Sequence, residues 1–202
     1  TDSLFNTKDV YKVLYSRWEF IHPDNLDFIK IQIGSDFKYE DVYGSRIQQT
    51  SPIIYQFAFF TQTNISITNR FDAQVGVRTP YHSVYSAPLV PSINLKYDLN
   101  EKIQLRTSYA KGFRAPSYKE LYMNFFDTNH SIIGNSDLKS EFTNSFQGSI
   151  YIVPLQKKHR SISIQLEAFL NDLQNKINIA QIQNTDSFTY YNLTDARYYG
   201  LT

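Results

Sequence analysis

Cysteine is absent from the 202 residues, which excludes a disulfide framework, a thiol nucleophile and any Cys-ligated zinc or iron–sulfur centre. A charge excess of either sign is missing as well. The 20 basic side chains face 19 acidic ones, a formal net charge of +1, whereas a nucleic-acid-binding domain carries a clear positive surplus. No run approaches the roughly 18 consecutive apolar residues of a transmembrane helix. The segment Thr1 to Val10 has no basic stretch, apolar core or small-residue cleavage site, so no signal peptide is read there. Catalytic signatures are lacking too: there is no Gly-x-Ser-x-Gly, His-Glu-x-x-His or glycine-rich phosphate cradle. The 4 histidines, His22, His82, His130 and His159, are dispersed over different connections. The chain is not expected to be an enzyme.

What is present is a β composition. Aromatic residues make up 16% of the chain, with 16 Tyr and 15 Phe, while hydrophobic residues in all reach only 42%. Such a balance suits strands with one apolar face and a large polar surface. Strict alternation confirms the period. Phe71, Ala73, Val75 and Val77 oppose Asp72, Gln74, Gly76 and Arg78. Ile103, Leu105, Thr107 and Tyr109 oppose Gln104, Arg106 and Ser108, and Ile162, Ile164, Leu166, Ala168 and Leu170 oppose Ser163, Gln165, Glu167 and Phe169. Noisier runs of the same period lie at 10–20, 28–37, 53–67, 89–97, 142–153 and 176–182, with a last one starting near Tyr191. One short helix is predicted within Ser117 to Phe126, with Ser117 as N-cap and Glu120 three residues on.

Connections alternate in length. Short turns are read at His22–Asn25, Thr68–Arg70, Asp98–Glu101 and Pro154–Arg160, and long ones at about 38–52, 81–88, 112–141 and 183–190. In an antiparallel up-and-down sheet this puts every short turn at one end and every long loop at the other, as in outer-membrane barrels. A soluble β-sandwich also alternates, but its Greek-key connections would scatter long loops over both ends. Aromatic residues gather near strand ends: Trp18 and Phe20, then Tyr55, Phe57, Phe59 and Phe60, then Tyr97 and Tyr109. Membrane–water interfaces need rings at such places.

The stretch Leu105 to Glu141 carries more specific marks. Tyr109, Gly112, Phe113, Arg114, Ala115 and Pro116 form one box, Glu120-Leu121-Tyr122 follows, and Gly134, Asn135, Ser136, Asp137, Leu138, Lys139, Ser140 and Glu141 form a second. Together these boxes resemble the hallmark region of TonB-dependent outer-membrane receptors. The resemblance extends over roughly residues 26–202. It departs from the family pattern at Ser136 and Ser140, where prolines are usual. Read physically, Gly112 allows the backbone to leave the sheet, Pro116 stops strand pairing, and Gly134-Asn135 supplies a turn.

The resemblance implies an all-β fold: an antiparallel meander of about nine strands belonging to a transmembrane barrel of about 22. It implies a location in the bacterial outer membrane, lipid around the barrel, and energy relayed by TonB through a plug domain. The cargo would be a scarce small-molecule nutrient of the ferric siderophore, haem or cobalamin class, with no intrinsic cofactor and no nucleic-acid partner. Residues 1–202 are expected to be a partial barrel without plug, TonB box or closing strand. Such a section is expected to self-associate through its open edges and apolar face.

The ligand-binding candidates are Arg114, Tyr118, Tyr122, Phe125, Phe126 and His130, all in the longest loop. The resemblance makes His130 a possible haem-iron ligand, since imidazole is competent for it. Tyr81, His82, Tyr85, Tyr190 and Tyr191 are weaker candidates on the same side. Gln74, Arg78, Gln104, Arg106, Gln165 and Glu167 are expected to line the wet interior. The other function class that fits the pattern is a soluble or surface-attached β-sheet binding module, lectin- or adhesin-like, using the aromatic loops.

Overall fold

The computed structural model describes residues 8–22, 28–48, 52–126, 131–157 and 160–202. Among these, nine strands form one antiparallel sheet. In chain order the elements are β1 (Asp9–Ile21), β2 (Ile29–Gly44), β3 (Ile54–Thr68), β4 (Phe71–His82), β5 (Val90–Asn100), β6 (Ile103–Arg114), helix α1 (Tyr118–Tyr122), β7 (Phe125–Phe126), β8 (Ser131–Ile133), β9 (Glu141–Lys157), β10 (Arg160–Gln174), β11 (Ile177–Gln181), β12 (Phe188–Asn192) and β13 (Asp195–Leu201). The large sheet has the order β1-β2-β3-β4-β5-β6-β9-β10-β13, each strand beside its predecessor among the long ones. A second, four-stranded sheet has the order β11-β12-β8-β7. No helix of the described residues is long and apolar enough to cross a membrane.

Register explains the sharpness of the alternation. Asn64 stands opposite Gln74 and Gln74 opposite Asn94, so the polar residues of β3, β4 and β5 share one face. Arg106 stands opposite Lys96 and Ser149, which extends that face through β6 to β9. On it the side chains bond to one another across strands. Gln74 donates to Asn64 at 2.7 Å, and Asn94 donates to Gln74 at 2.7 Å. Lys96 reaches Asp72 at 3.1 Å and Asp98 at 3.0 Å, while Gln104 donates to Asp98 at 2.7 Å. Farther along, Gln147 donates to Glu167 at 2.6 Å. Arg78 holds both carboxylate oxygens of Asp36, at 2.6 and 2.8 Å, across the intervening β3.

The opposite face is bare and apolar. Leu14, Ile33, Phe59, Val75, Ile93, Ile150, Ile164, Leu166 and Tyr199 are all exposed on it. Rings mark its two margins. Trp18 and Phe20 lie near the short-turn end, where Phe71 and Tyr97 pack edge-on at 6.2 Å. Tyr55 and Tyr81 stack at 6.3 Å near the long-loop end. The ten-residue rise from Phe71 to Tyr81, at about 3.3 Å per residue, covers about 33 Å of strand, and a tilt of about 40° makes that about 25 Å of height. This matches the apolar band of an outer-membrane barrel. No second layer packs against this face of the nine strands among the described residues, so the sandwich arrangement is not adopted.

The alternation of short and long connections holds. Thr68 Oγ1 accepts from the Arg70 amide at 3.2 Å and Asn100 Oδ1 from the Lys102 amide at 2.9 Å, closing two tight turns, each beside a bulge. Several boundaries differ from the sequence reading. β2 continues to Gly44, so the connection predicted from 38 begins later. β9 runs through Pro154 to Lys157 instead of turning there. A register shift between Ile162 and Ile164 accommodates the proline, which has no amide hydrogen for the ladder. The 176–182 run is not a strand of the large sheet: as β11 it joins the small one, and Tyr191 lies in β12, with β13 starting only at Asp195. Gly112 stays in the ladder opposite Thr143 and makes no excursion.

Substitution should separate the two faces. Val75→Arg, at mid-height on the apolar side, is expected to cost about 2–4 kcal/mol in a bilayer, whereas Gln74→Arg should assemble normally. The amounts of folded, heat-modifiable protein in outer-membrane fractions measure the difference, and equal yields would contradict the assignment of faces.

Candidate functional site

At the long-loop end the polar face changes character. Val42 and Ile54 point to the same side as Asp36 and Gln56, yet they are 4% and 1% exposed. The long connections fold inward over them. A buried cluster of Val42, Ile47, Ile54, Tyr118, Leu121, Tyr122, Met123, Leu138 and Ile177 results, with Tyr85, Phe125 and Tyr190 packed against it. It joins residues from five different connections or strand ends, and it caps the polar face at one end.

Its anchor is the short helix. Pro116 ends pairing after Arg114, and Ser117 begins the turn with a capping box: its hydroxyl accepts from the Glu120 amide, and Glu120 accepts from the Ser117 amide at 2.7 Å. The box aims Leu121 into the centre of the cluster, where it has no exposed surface. Tyr118 donates to the Val42 carbonyl at 3.1 Å. Met123 bridges to Ile47, the Gln48 amide donates to the Tyr122 carbonyl at 2.9 Å, and Tyr11 donates to the Met123 sulfur at 3.1 Å. Gly134 is buried for a reason other than a turn. A Cβ there would lie 2.9 Å from the Leu121 carbonyl and from the Met123 nitrogen, so only glycine lets the two segments touch.

Arg114 is the electrostatic joint. It binds the Glu120 carboxylate, at 2.9 Å for the closest pair, and also Glu141. Glu141 in turn accepts the Ile177 amide at 2.6 Å, which fixes β11 to the start of β9. Burial would raise the Glu120 carboxyl, but Arg114 and the Ser117 amide and hydroxyl outweigh it and hold Glu120 below the usual carboxylate range. Burial likewise pushes the Tyr85 hydroxyl up to about 12, with Tyr122 and Glu120 adding to it. That hydroxyl donates to the Leu138 carbonyl at 3.0 Å.

Two side-chain amides tie the loops together. Asn135 donates to the Tyr190 carbonyl at 2.8 Å and accepts from the Asp137 amide at 2.9 Å. Asn192 accepts from the Lys139 amide at 2.8 Å while donating to the carbonyls of Lys139 at 3.0 Å and Asn175 at 2.7 Å. Asn192 ends β12 within a segment that the resemblance covers, but the sequence does not mark its tying role, because one asparagine in a polar stretch looks like any other. The apolar members Val42, Ile47 and Met123 are equally unmarked as parts of a buried cluster.

The anticipated site residues thus divide. Tyr118 and Tyr122 are 4% and 7% exposed in the cluster, their rings packed on each other at 5.2 Å. Arg114 is engaged by two carboxylates. Phe125 is half-buried under the Arg46 guanidinium, Phe126 is exposed, and His130 lies outside the described residues. Of the motif residues, Leu121, Tyr122 and Leu138 are buried in the cluster, Phe113 pairs with Phe142 beside the apolar face at 5.8 Å, and Asp137 is exposed. Tyr81 belongs to the outer aromatic margin and not to the cap, while His82 is buried behind Tyr85. Among the described residues no three His, Asp or Glu gather closely enough to hold a metal ion.

The cap should yield to two perturbations. Leu121→Ala is expected to lower its local stability by about 2–5 kcal/mol, read as faster hydrogen exchange at Gln48 and Asn124 with the strands unchanged. Because the Glu120 pKa is depressed, its contribution is present above the ordinary glutamate value of about 4.3 and is lost as pH falls below it. Arg114→Ala removes a main lowering influence and leaves burial and the Ser117 bonds, so protection at neutral pH should fall and its further loss on acidification should shrink; an unchanged acid profile would contradict the role given to Arg114.

Comparison with known proteins agrees with this geometry. The family described as TonB dependent receptor-like, beta-barrel, matches residues 3–202. The chain is 33% identical over 91 residues to the hemoglobin and hemoglobin-haptoglobin-binding protein B of Haemophilus influenzae, covering 45% of this chain and 8% of that one. It is 24% identical over 132 residues to the ferric enterobactin receptor of Pseudomonas aeruginosa, covering 60% and 17%. The crystal structure of the siderophore receptor PirA from Pseudomonas aeruginosa superposes with a TM-score of 0.78 at 19% identity, over 96% of this chain and 39% of that receptor. The chain therefore spans only 8% and 17% of the lengths of these two curated relatives. By name these relatives are receptors or binding proteins and not enzymes. With its apolar face turned to lipid and its polar face to the barrel interior, the chain belongs to the TonB-dependent receptor β-barrel family of the bacterial outer membrane.

Proposed function

We infer that the chain forms part of the wall and outer vestibule of a receptor that carries an iron-bearing nutrient, a ferric siderophore or haem, across the outer membrane. The observation that carries this reading is the joining of a lipid-facing sheet to a folded cap in one continuous family match. The relatives' names support the cargo class: one set binds hemoglobin and another receives ferric enterobactin. Residues 1–202 are then one portion of the barrel, with a plug domain and its TonB contact as partners in the whole receptor. The polar network of Gln74, Lys96, Gln104 and Gln147 would face that plug.

Within the cap, the roles follow exposure. Phe126, exposed next to the 127–130 segment, and His130 would meet the cargo. Arg114, Tyr118, Tyr122 and Phe125 would shape the vestibule from behind by holding the loop that presents them. Tyr and Phe rims suit flat or apolar ligands, and a neutral imidazole suits haem iron.

Deletion of the gene should abolish growth on one iron source, haem or a ferric siderophore, when iron is otherwise withheld, and complementation should restore it. Growth unimpaired on every iron source would sink the transport reading. Haem titration of the purified receptor tests one cargo: a Soret shift lost in His130→Ala assigns haem, and no shift removes haem. Material consisting of these 202 residues should also self-associate outside lipid, because its apolar face and strand edges have nothing else to cover them; a sharp 23.6 kDa monomer in detergent-free light scattering would contradict that.

A further inference from the structure

His82 is 5% exposed, and its Nε2 meets no acceptor among the described residues. Its Nδ1 accepts from the Val84 amide at 3.1 Å, so Nδ1 carries no proton and the neutral ring keeps its hydrogen on Nε2. That arrangement speaks against metal ligation, because a ring that binds a metal through Nε2 donates from Nδ1. It also sets the ring in one protonation state. A second proton would have to go on Nδ1, where it faces the Val84 N–H and breaks the bond.

What the bond holds is specific. The ring packs edge-on against Tyr85 at 5.2 Å. Tyr85 lies against the buried cluster and donates to the Leu138 carbonyl, within the loop that carries the cap. His82 is therefore the hinge pin of the β4–β5 connection, and Tyr85 is its hook into the cap. On the other side, the Ser83 amide and hydroxyl are engaged with the backbone of Tyr55, which keeps the strand end in place whatever the ring does.

The charged groups turned toward the ring are Glu40 and Lys38 of β2, which pair with each other at 2.9 Å. Gln56, directly opposite on β3, is uncharged. Tyr85 itself faces Tyr122 and Glu120 of the cap. Lys38 offsets part of the attraction Glu40 exerts on an imidazolium and burial outweighs the rest, so the cost of burying the extra charge falls on the latch.

We propose that His82 is a pH-sensitive latch: its neutral ring clips the β4–β5 connection to the outer cap through Val84 and Tyr85, and its protonation releases that connection while the sheet stays intact. The latch is closed while the ring is neutral and opens on acidification. Vestibule access would then widen in acidic surroundings, a regulation separate from the identity of the cargo.

Hydrogen exchange measured by mass spectrometry on the protein in native outer-membrane vesicles tests this, with rates corrected for the intrinsic pH dependence. Protection of the 84–89 segment should fall by ~10-fold or more between about pH 7.5 and about pH 5, the loss of one hydrogen bond and its packing. Protection of β4 and β5 should be unchanged over the same interval. His82→Asn, whose side-chain oxygen replaces Nδ1 as acceptor, should hold the segment closed at both values. Flat protection in the unmodified protein overturns the proposal by itself, whether or not the variant folds. So does a pH response that persists undiminished in His82→Asn, or one in which the strands loosen together with the segment.

Discussion

A backbone amide inside a hydrocarbon layer has no water to bond, so every N–H and C=O must find its partner on a neighbouring strand. The nine-strand ladder is the answer this chain adopts, and the rest of the structure depends on it. Once the ladder is continuous, side chains can only alternate between two faces, and the two faces meet different solvents. Val75 and Ile164 face lipid, where apolar bulk is required, while Gln74 and Glu167 face a wet interior, where they bond across strands. The same requirement explains the treatment of Pro154: a residue without a donor is taken out of register by a bulge and not by ending the strand.

At the outer end this division of faces is overridden. Val42 and Ile54 lie on the interior side by parity yet are buried by the loops that fold over them. The cap needs both an apolar filling, with Leu121 at its centre, and a set of directed bonds, of which Arg114 to Glu120 and Glu141 are the most strongly charged. Neither suffices alone. Apolar contact without the bonds would leave helix ends and strand ends unsatisfied in a low-dielectric site, and the bonds without the filling would be solvated and weak. Together they hold the long connections in one fixed cap, and under the proposed function that cap would present an exposed ring such as Phe126 without the ordering cost of a loose loop.

The legibility of this molecule follows the range of the forces involved. The strands of the large sheet were readable because the lipid and the wet interior impose a period of two over eight residues or more, as at Phe71–Arg78. The helix was readable because Ser117 and Glu120 cap it locally. The run at 176–182 had the right period but the wrong sheet, since alternation states that a strand exists and not which neighbour it pairs with. The burial of Tyr118 and Tyr122 is not legible, because a loop tyrosine carries no mark of the distant Val42 carbonyl or the Leu138 side chain in the same cluster.

Residue order alone therefore determined the strand period, the two-faced sheet, the alternation of short and long connections, and the family to which the boxes around Arg114 and Glu141 belong. All of these rest on interactions between near neighbours in the chain, or on a solvent that acts on each residue separately. Only the tertiary structure decided that five separate connections and strand ends converge in one cap, that Gly134 is there for a close crossing, that Asn192 ties two loops, and that His82 is buried. Those outcomes depend on segments tens to more than a hundred residues apart meeting in space, and packing of that kind leaves no periodic trace in the sequence.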